Sequence, residues 1–132
     1  VPSITIVNRN RDRAEALCAE LGFPELRAHI DNRLPLDDAG ILINATSLGW
    51  HAGDMPIDAK ALLALPDHAL VVDLTYRDTD LIEAARARGL ATLDGLGMLV
   101  HQGALAFERF TGQPAPLEVM WTAARAARAP RS

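Results

Sequence analysis

The chain alternates short apolar runs with amphipathic stretches. Ser3-Ile4-Thr5-Ile6-Val7 is a β-branched run broken only by Thr5, and it predicts a strand buried on both faces. Arg11 to Leu21 follows with Ala14, Leu17, Cys18 and Leu21 at helical spacing, which predicts one helix with a single apolar face. Asn10 precedes it as an N-cap and Gly22 closes it in the C′ position. A weak strand signal at Leu26 to Ala28 is followed by a clear one at Gly40 to Ala45, which runs into the small-residue loop Thr46-Ser47-Leu48-Gly49. Ala59 to Leu65 reads as a short helix stopped by Pro66 and Ala69 to Leu74 as a strand. Thr79 caps a helix that runs to Arg88 and is ended by Gly89, and Ala91 to Leu93 suits a short strand. Leu99 to Phe110 predicts a helix ending at Gly112. A last helix spans Leu117 to Arg128 with Leu117, Met120, Trp121 and Ala124 on one face, before a frayed end at Ala129 to Ser132.

Apolar strands alternating with helices predict an α/β fold, a parallel sheet with helices on both faces. Ligands of such sheets sit at the carboxyl ends of the strands. Here those ends are polar: Asn8-Arg9-Asn10, Asn44-Ala45-Thr46-Ser47 and Asp73-Leu74-Thr75-Tyr76. The length of 132 residues fits one domain.

Charge and composition narrow the functional classes. The net charge of −4 argues against a nucleic-acid surface, which needs a basic stripe. No apolar run approaches the ~20 residues that span a bilayer, and no signal peptide is visible. The single cysteine, Cys18, rules out an internal disulfide and fits a reducing, cytoplasmic compartment. The histidines at His29, His51, His68 and His101 are scattered without metal-ligand spacing, so no metal is expected. Of the thirteen basic residues only Lys60 is a lysine, and beside Asp58 it reads as an exposed helix residue.

The segment Asn8 to Arg13 leaves a strand and opens a helix. In a dinucleotide fold this is where the adenosine ribose lies, and an Arg in place of an acid accommodates the 2′-phosphate of NADP. Arg9 and Arg13 are placed to grip such a phosphate beside free helix-start N–H groups. A capped helix with solvated arginines explains the same residues equally well. No Gly-rich turn precedes this strand. Together with the direct opening on a buried strand, that leads us to expect a missing upstream segment.

Four segments resemble the shikimate dehydrogenase family in order. Val7-Asn8-Arg9-Asn10 is similar to its Asn-Arg-Thr motif, and Ile43 to Gly49 to its Asn-Ala-Thr loop. Val72-Asp73-Leu74-Thr75-Tyr76 is similar to its Asp-x-x-Tyr strand end. Gly95 to Ala104 is similar to its Gly-x-x-Met-Leu-x-x-Gln segment, the most specific of the four. The resemblance implies a Rossmann-like sheet, incomplete at its amino-terminal side. It implies an NADP-binding domain over residues 1–112 and a carboxy-terminal helix over 113–132 that packs toward a missing lobe. It also implies reversible hydride transfer between 3-dehydroshikimate and shikimate in aromatic amino-acid biosynthesis.

By the same resemblance Asn8, Arg9, Asn10 and Arg13 hold the 2′-phosphate, and Thr46, Leu74 and Gly95 line the path to the nicotinamide. Tyr76 and Gln102 reach the substrate from the cofactor side. Each also has a plain structural reading: loop satisfaction for Thr46, core for Leu74, a turn for Gly95, a strand-end anchor for Tyr76, a solvated helix position for Gln102. The sequence departs from the family at Asn10 (usually Thr), at Trp50 (commonly Met), and in having only Arg77 and Asp78 between Tyr76 and Thr79. The Lys and Asp that serve acid–base catalysis in the family lie in its amino-terminal lobe, so no catalytic residue is assigned and the isolated chain is expected to be inactive. The rivals are a quinate/shikimate dehydrogenase using NAD and a non-catalytic remnant that binds a partner. In either case the missing lobe, or another chain, is expected to cover the truncated side.

Overall fold

A computed structural model describes residues 3–29 and 34–128. The frayed end expected at Ala129 to Ser132 lies outside the described residues. The chain divides into two compact units, Val1–Pro35 and Leu36–Ser132.

The first unit holds β1 (Ile4–Val7), α1 (Arg11–Leu21) and β2 (Leu26–His29). β1 and β2 are parallel, with Ile4 opposite Leu26 and Val7 opposite His29. The left-handed φ of +65° at Gly22 closes α1, whose N–H reaches the Cys18 carbonyl. Of the apolar face predicted for α1 only Ala14 is buried; Leu17 and Leu21 are exposed and Cys18 is half-buried. Two four-residue strands are too narrow a platform to cover an eleven-residue helix. For the same reason β1 is not buried on both faces as its composition predicts, and Ile4 and Val7 are exposed.

The second unit holds β3 (Ile41–Asn44), a 3-10 helix (Ala59–Ala64), β4 (Leu70–Asp73), α2 (Asp80–Ala87), β5 (Ala91–Asp94), α3 (Leu96–Thr111) and α4 (Leu117–Ala127). Its sheet is parallel in the order β3-β4-β5. Side chains alternate between sheet faces. In this register Leu42, Val71 and Thr92 share one face with Asn44, Asp73 and Asp94. That face carries the core, in which α2 contributes Leu81, Ile82 and Ala85, and the 3-10 helix Leu62.

The opposite face is made by Ile41, Leu70 and Ala91 and by Ile43, Val72 and Leu93. It is largely bare: Ile41 is 59%, Ile43 57% and Leu93 56% exposed. The expected second helix layer is therefore absent over this part of the sheet among the described residues.

The helix predicted from Leu99 begins three residues earlier, at Leu96. Gly95 and Gly97 conceal its periodicity, and the Asp94 carboxylate accepts a hydrogen bond from the Leu96 N–H at 3.0 Å. α4 packs along α3. Trp121 lies against Gly97 and Met120 against Gly103, so two small residues on α3 make room for two large ones. Arg128 follows α4 and pairs with Asp94 at 2.9 Å, tying the end of α4 to the end of β5.

Candidate functional site

The polar strand ends of the second unit form a connected hydrogen-bond network. Asp73, the last residue of β4, is fully buried. One carboxylate oxygen accepts from the Thr75 N–H at 3.0 Å and the Thr75 hydroxyl at 2.6 Å. The other accepts from Asn44 Nδ2 at 3.1 Å and the Thr79 hydroxyl at 2.8 Å. Asn44 sits opposite Asp73 in the ladder. Its Nδ2 also donates to the Leu48 carbonyl, and its Oδ1 accepts from the Thr46 N–H at 3.0 Å and the Thr46 hydroxyl at 2.8 Å. A buried charge is tolerated when all its lone pairs find donors, and here they do. The result is that the loop after β3, the loop after β4 and the N-cap of α2 hang from one carboxylate.

Two glycines let these loops come close. A Cβ on Gly95 would stand 1.9 Å from the Leu74 carbonyl oxygen, so the start of α3 lies directly against the loop after β4. The Gly95 N–H donates to the Thr75 carbonyl at 3.0 Å. Gly49 has a left-handed φ of +115°, and a Cβ there would meet Thr79 Cγ2 at 3.1 Å.

Four predicted positions therefore converge in this unit: Thr46 on the first loop, Leu74 and Tyr76 on the second, and Gly95 behind them. Thr46 and Tyr76 are exposed, while Leu74 sits on the loop surface and is not the core residue that its plain reading would make it. Gln102 is not joined to them. It stands exposed on α3, two turns along from Gly95, without a side-chain hydrogen bond among the described residues.

The other predicted cluster belongs to the first unit. The Asn8 side-chain oxygen accepts from the Asn10 N–H at 2.9 Å, and that of Asn10 accepts from the Arg13 N–H at 3.1 Å. Neither amide nitrogen has a hydrogen-bond acceptor among the described residues. Asn8, Arg9, Asn10 and Arg13 are all exposed, and neither Arg9 nor Arg13 has a carboxylate partner among the described residues. Arg11 differs: it is bound to Glu15 at 2.8 Å, and that hydrogen bond and charge raise its pKa above the ordinary arginine value. The cluster is thus a helix start carrying two guanidinium groups without a carboxylate partner among the described residues, suited to an anion.

The sequence marks Asn44 and Asp73 as polar strand ends and Trp50 as a departure from the family, but not that these residues and Arg77 hold the site together, which depends on contacts between separate loops. No group of acidic, histidine or cysteine side chains among the described residues could hold a metal ion. Nor is any helix of the described residues long and apolar enough to cross a membrane.

Residues 95–125 match the family model described as the shikimate 5'-dehydrogenase C-terminal domain. The NADP(+) shikimate dehydrogenase of Symbiobacterium thermophilum is 41% identical over 137 residues, a match spanning 96% of this chain and 47% of that protein. The crystal structure of shikimate dehydrogenase from Aquifex aeolicus superposes with a TM-score of 0.81 at 28% identity, over 93% of this chain and 44% of that one. That of the Thermus thermophilus enzyme, in complex with NADP(H) and shikimate, gives a TM-score of 0.75 at 37% identity, over 95% and 46%. The chain spans about half the length of the relatives it matches. In sequence and in fold, the chain is similar to about half of the shikimate dehydrogenases, and its residues 95–125 match the model of their C-terminal domain.

Proposed function

We propose that this chain is the cofactor-side part of an NADP-dependent shikimate dehydrogenase, an oxidoreductase that interconverts 3-dehydroshikimate and shikimate in aromatic amino-acid biosynthesis. The observation that carries the reading is the Asn44–Asp73 network. It fixes the Thr46 and Tyr76 loops at the carboxyl ends of adjacent strands, in a chain whose likeness to these enzymes runs over nearly its whole length.

The residues suit the cofactor. Arg9 and Arg13 lack carboxylate partners among the described residues and flank the start of α1, where N–H groups lack intrahelical acceptors. With the amides of Asn8 and Asn10 they would hold the adenosine 2′-phosphate. Thr46, Leu74 and Gly95 would line the approach of the nicotinamide ring, and Tyr76 and Gln102 would face the substrate. When bound, NADP supplies the hydride acceptor. The chain's own part is to orient both molecules. In this proposal the proton transfer at the substrate hydroxyl falls to an amino-terminal lobe, since no described residue is assigned as its acid or base and Lys60 is exposed.

The same lobe, or another chain, would cover the bare face of the β3-β4-β5 sheet. Ile41, Ile43 and Leu93 together leave about 200–250 Å2 of apolar surface in water, worth up to ~6 kcal/mol on burial at ~25 cal/mol per Å2. β1 and β3 each pair on one side only among the described residues, which leaves ladder edges to be covered as well. A cytoplasmic location belongs to the proposal too, on the strength of one unpaired cysteine.

The test is a hybrid in which this chain replaces the corresponding part of the Symbiobacterium thermophilum relative. Shikimate-dependent reduction of NADP by the hybrid supports the reading. A folded hybrid that reduces NADP with no shikimate-type substrate overturns it.

A further inference from the structure

Tyr76 is held from outside its own loop. Only Arg77 and Asp78 separate it from Thr79, whose hydroxyl is committed both to the buried Asp73 carboxylate and to the Ile82 N–H at the start of α2. So short a turn has few contacts of its own with which to fix a half-exposed phenol ring. Those contacts come from the loop after β3. The Trp50 indole meets the Tyr76 ring edge-on, with centroids 5.3 Å apart and planes at 81°. Arg77 closes the group from the other side: its guanidinium carbon lies 4.6 Å over the Trp50 ring, and its Nη1 donates to the Trp50 carbonyl at 3.3 Å. Trp50 is thus gripped by ring and by backbone, and passes that constraint to Tyr76. An edge-on pair fixes ring tilt as well as distance, because the ring quadrupole favours one arrangement of edge and face. The cation over the indole adds an attraction of the same electrostatic origin.

We infer that Trp50, clamped by Arg77, is a positioning residue for the substrate, acting through Tyr76 by setting where the phenol hydroxyl stands. The inference rests on the proposed dehydrogenase reading, in which Tyr76 faces the substrate. It goes beyond that reading in assigning to Trp50 and Arg77 a share in substrate affinity, though neither touches the substrate. The indole is on the same loop as Thr46 but four residues further on, beyond Gly49. Its loss should therefore be felt on the substrate side and not on the cofactor side.

The experiment is a kinetic double-mutant cycle in the hybrid enzyme, in which chain and lobe are both present. Trp50→Ala should raise KM for shikimate about three- to tenfold while KM for NADP stays within about twofold. Trp50→Phe, which keeps a ring edge and face, should recover most of the loss. Arg77→Ala should move the shikimate KM in the same direction by a smaller factor. In a Tyr76→Phe background, Trp50→Ala should change the shikimate KM by less than about twofold, because the hydroxyl it positions is gone. Equal losses for shikimate and NADP, or a Trp50 effect that persists unchanged without the Tyr76 hydroxyl, overturn the inference. A Tyr76→Phe variant with unaltered shikimate KM overturns the substrate role of Tyr76 and the inference with it. A wild-type hybrid without shikimate turnover refutes the functional reading itself, and is told apart from the other outcomes because it appears before any substitution is made.

Discussion

Replacing Asp73 by Asn changes one oxygen to an NH2 group without changing shape, and the network leaves that group nowhere to go. One carboxylate oxygen faces the Thr75 N–H and the other faces Asn44 Nδ2. Both are nitrogen donors that cannot reverse their role. Asn44 cannot rotate its amide to offer an oxygen, because its Oδ1 already accepts from the Thr46 N–H and hydroxyl. The Thr75 and Thr79 hydroxyls can turn, but the nitrogen donors cannot, so either orientation of the new amide sets donor against donor in a buried site. The cost is one hydrogen bond to a charged group, about 1.5–3 kcal/mol, together with the desolvation of a donor left unsatisfied. A total of about 2–4 kcal/mol is expected. Urea unfolding of the hybrid followed by circular dichroism reads this. With m about 2 kcal/mol/M, the midpoint should fall by about 1–2 M. Asp67→Asn is the control, since Asp67 is fully exposed and only 3.6 Å from Arg88, and its midpoint should move by less than about 0.3 M. If the two substitutions shift the midpoint equally, the Asp73 carboxylate does not hold the loops together.

Arg9→Ala should raise KM for NADP about ten- to a hundredfold and leave KM for NAD nearly unchanged, the loss of one charged hydrogen bond to a phosphate; equal weakening of both cofactors in steady-state kinetics would make Arg9 structural. Gly95→Ala forces a methyl group onto the Leu74 carbonyl, a backbone atom that cannot swing aside. It should cost about 3 kcal/mol, lowering Tm in a thermal melt by about 10 °C, and an unchanged Tm would show that α3 does not press on this loop. Alone in solution, the 132-residue chain should associate or aggregate through its bare sheet face. Size-exclusion chromatography with light scattering checks this, and a monomer with a cooperative melt would show that the face needs no cover.

The alternation of elements was legible because strands of four apolar or β-branched residues and helices with clear caps announce themselves locally. Asn10, Gly22, Thr79 and Gly112 end or begin helices in the structure as their chemistry predicts. Burial was less legible. Composition marks Ile4-Thr5-Ile6-Val7 and Ile41-Leu42-Ile43 as strands made to be covered, but it does not say by what, and both remain largely exposed. The start of α3 was hidden because two glycines interrupt its pattern, and the reason for one of them, the approach of Leu74, is a tertiary fact. In the candidate site, the residues that face outward were visible as motifs. The holding roles of Asp73, bound to Thr79 and Asn44, and of Trp50, beside Tyr76, were not, because these partners are 6 to 29 positions away in sequence.

The central claim is that this chain supplies the cofactor side of a shikimate dehydrogenase and that the other side lies in a separate lobe. Its most direct test is the initial rate of NADPH formation from shikimate and NADP, measured for this chain alone, for the amino-terminal part of the Symbiobacterium thermophilum relative alone, and for the two joined. The account predicts no rate above background for either part and shikimate-dependent turnover for the joined protein. Turnover by the 132-residue chain alone would contradict it, as would a folded, joined protein that binds NADP and does not oxidise shikimate.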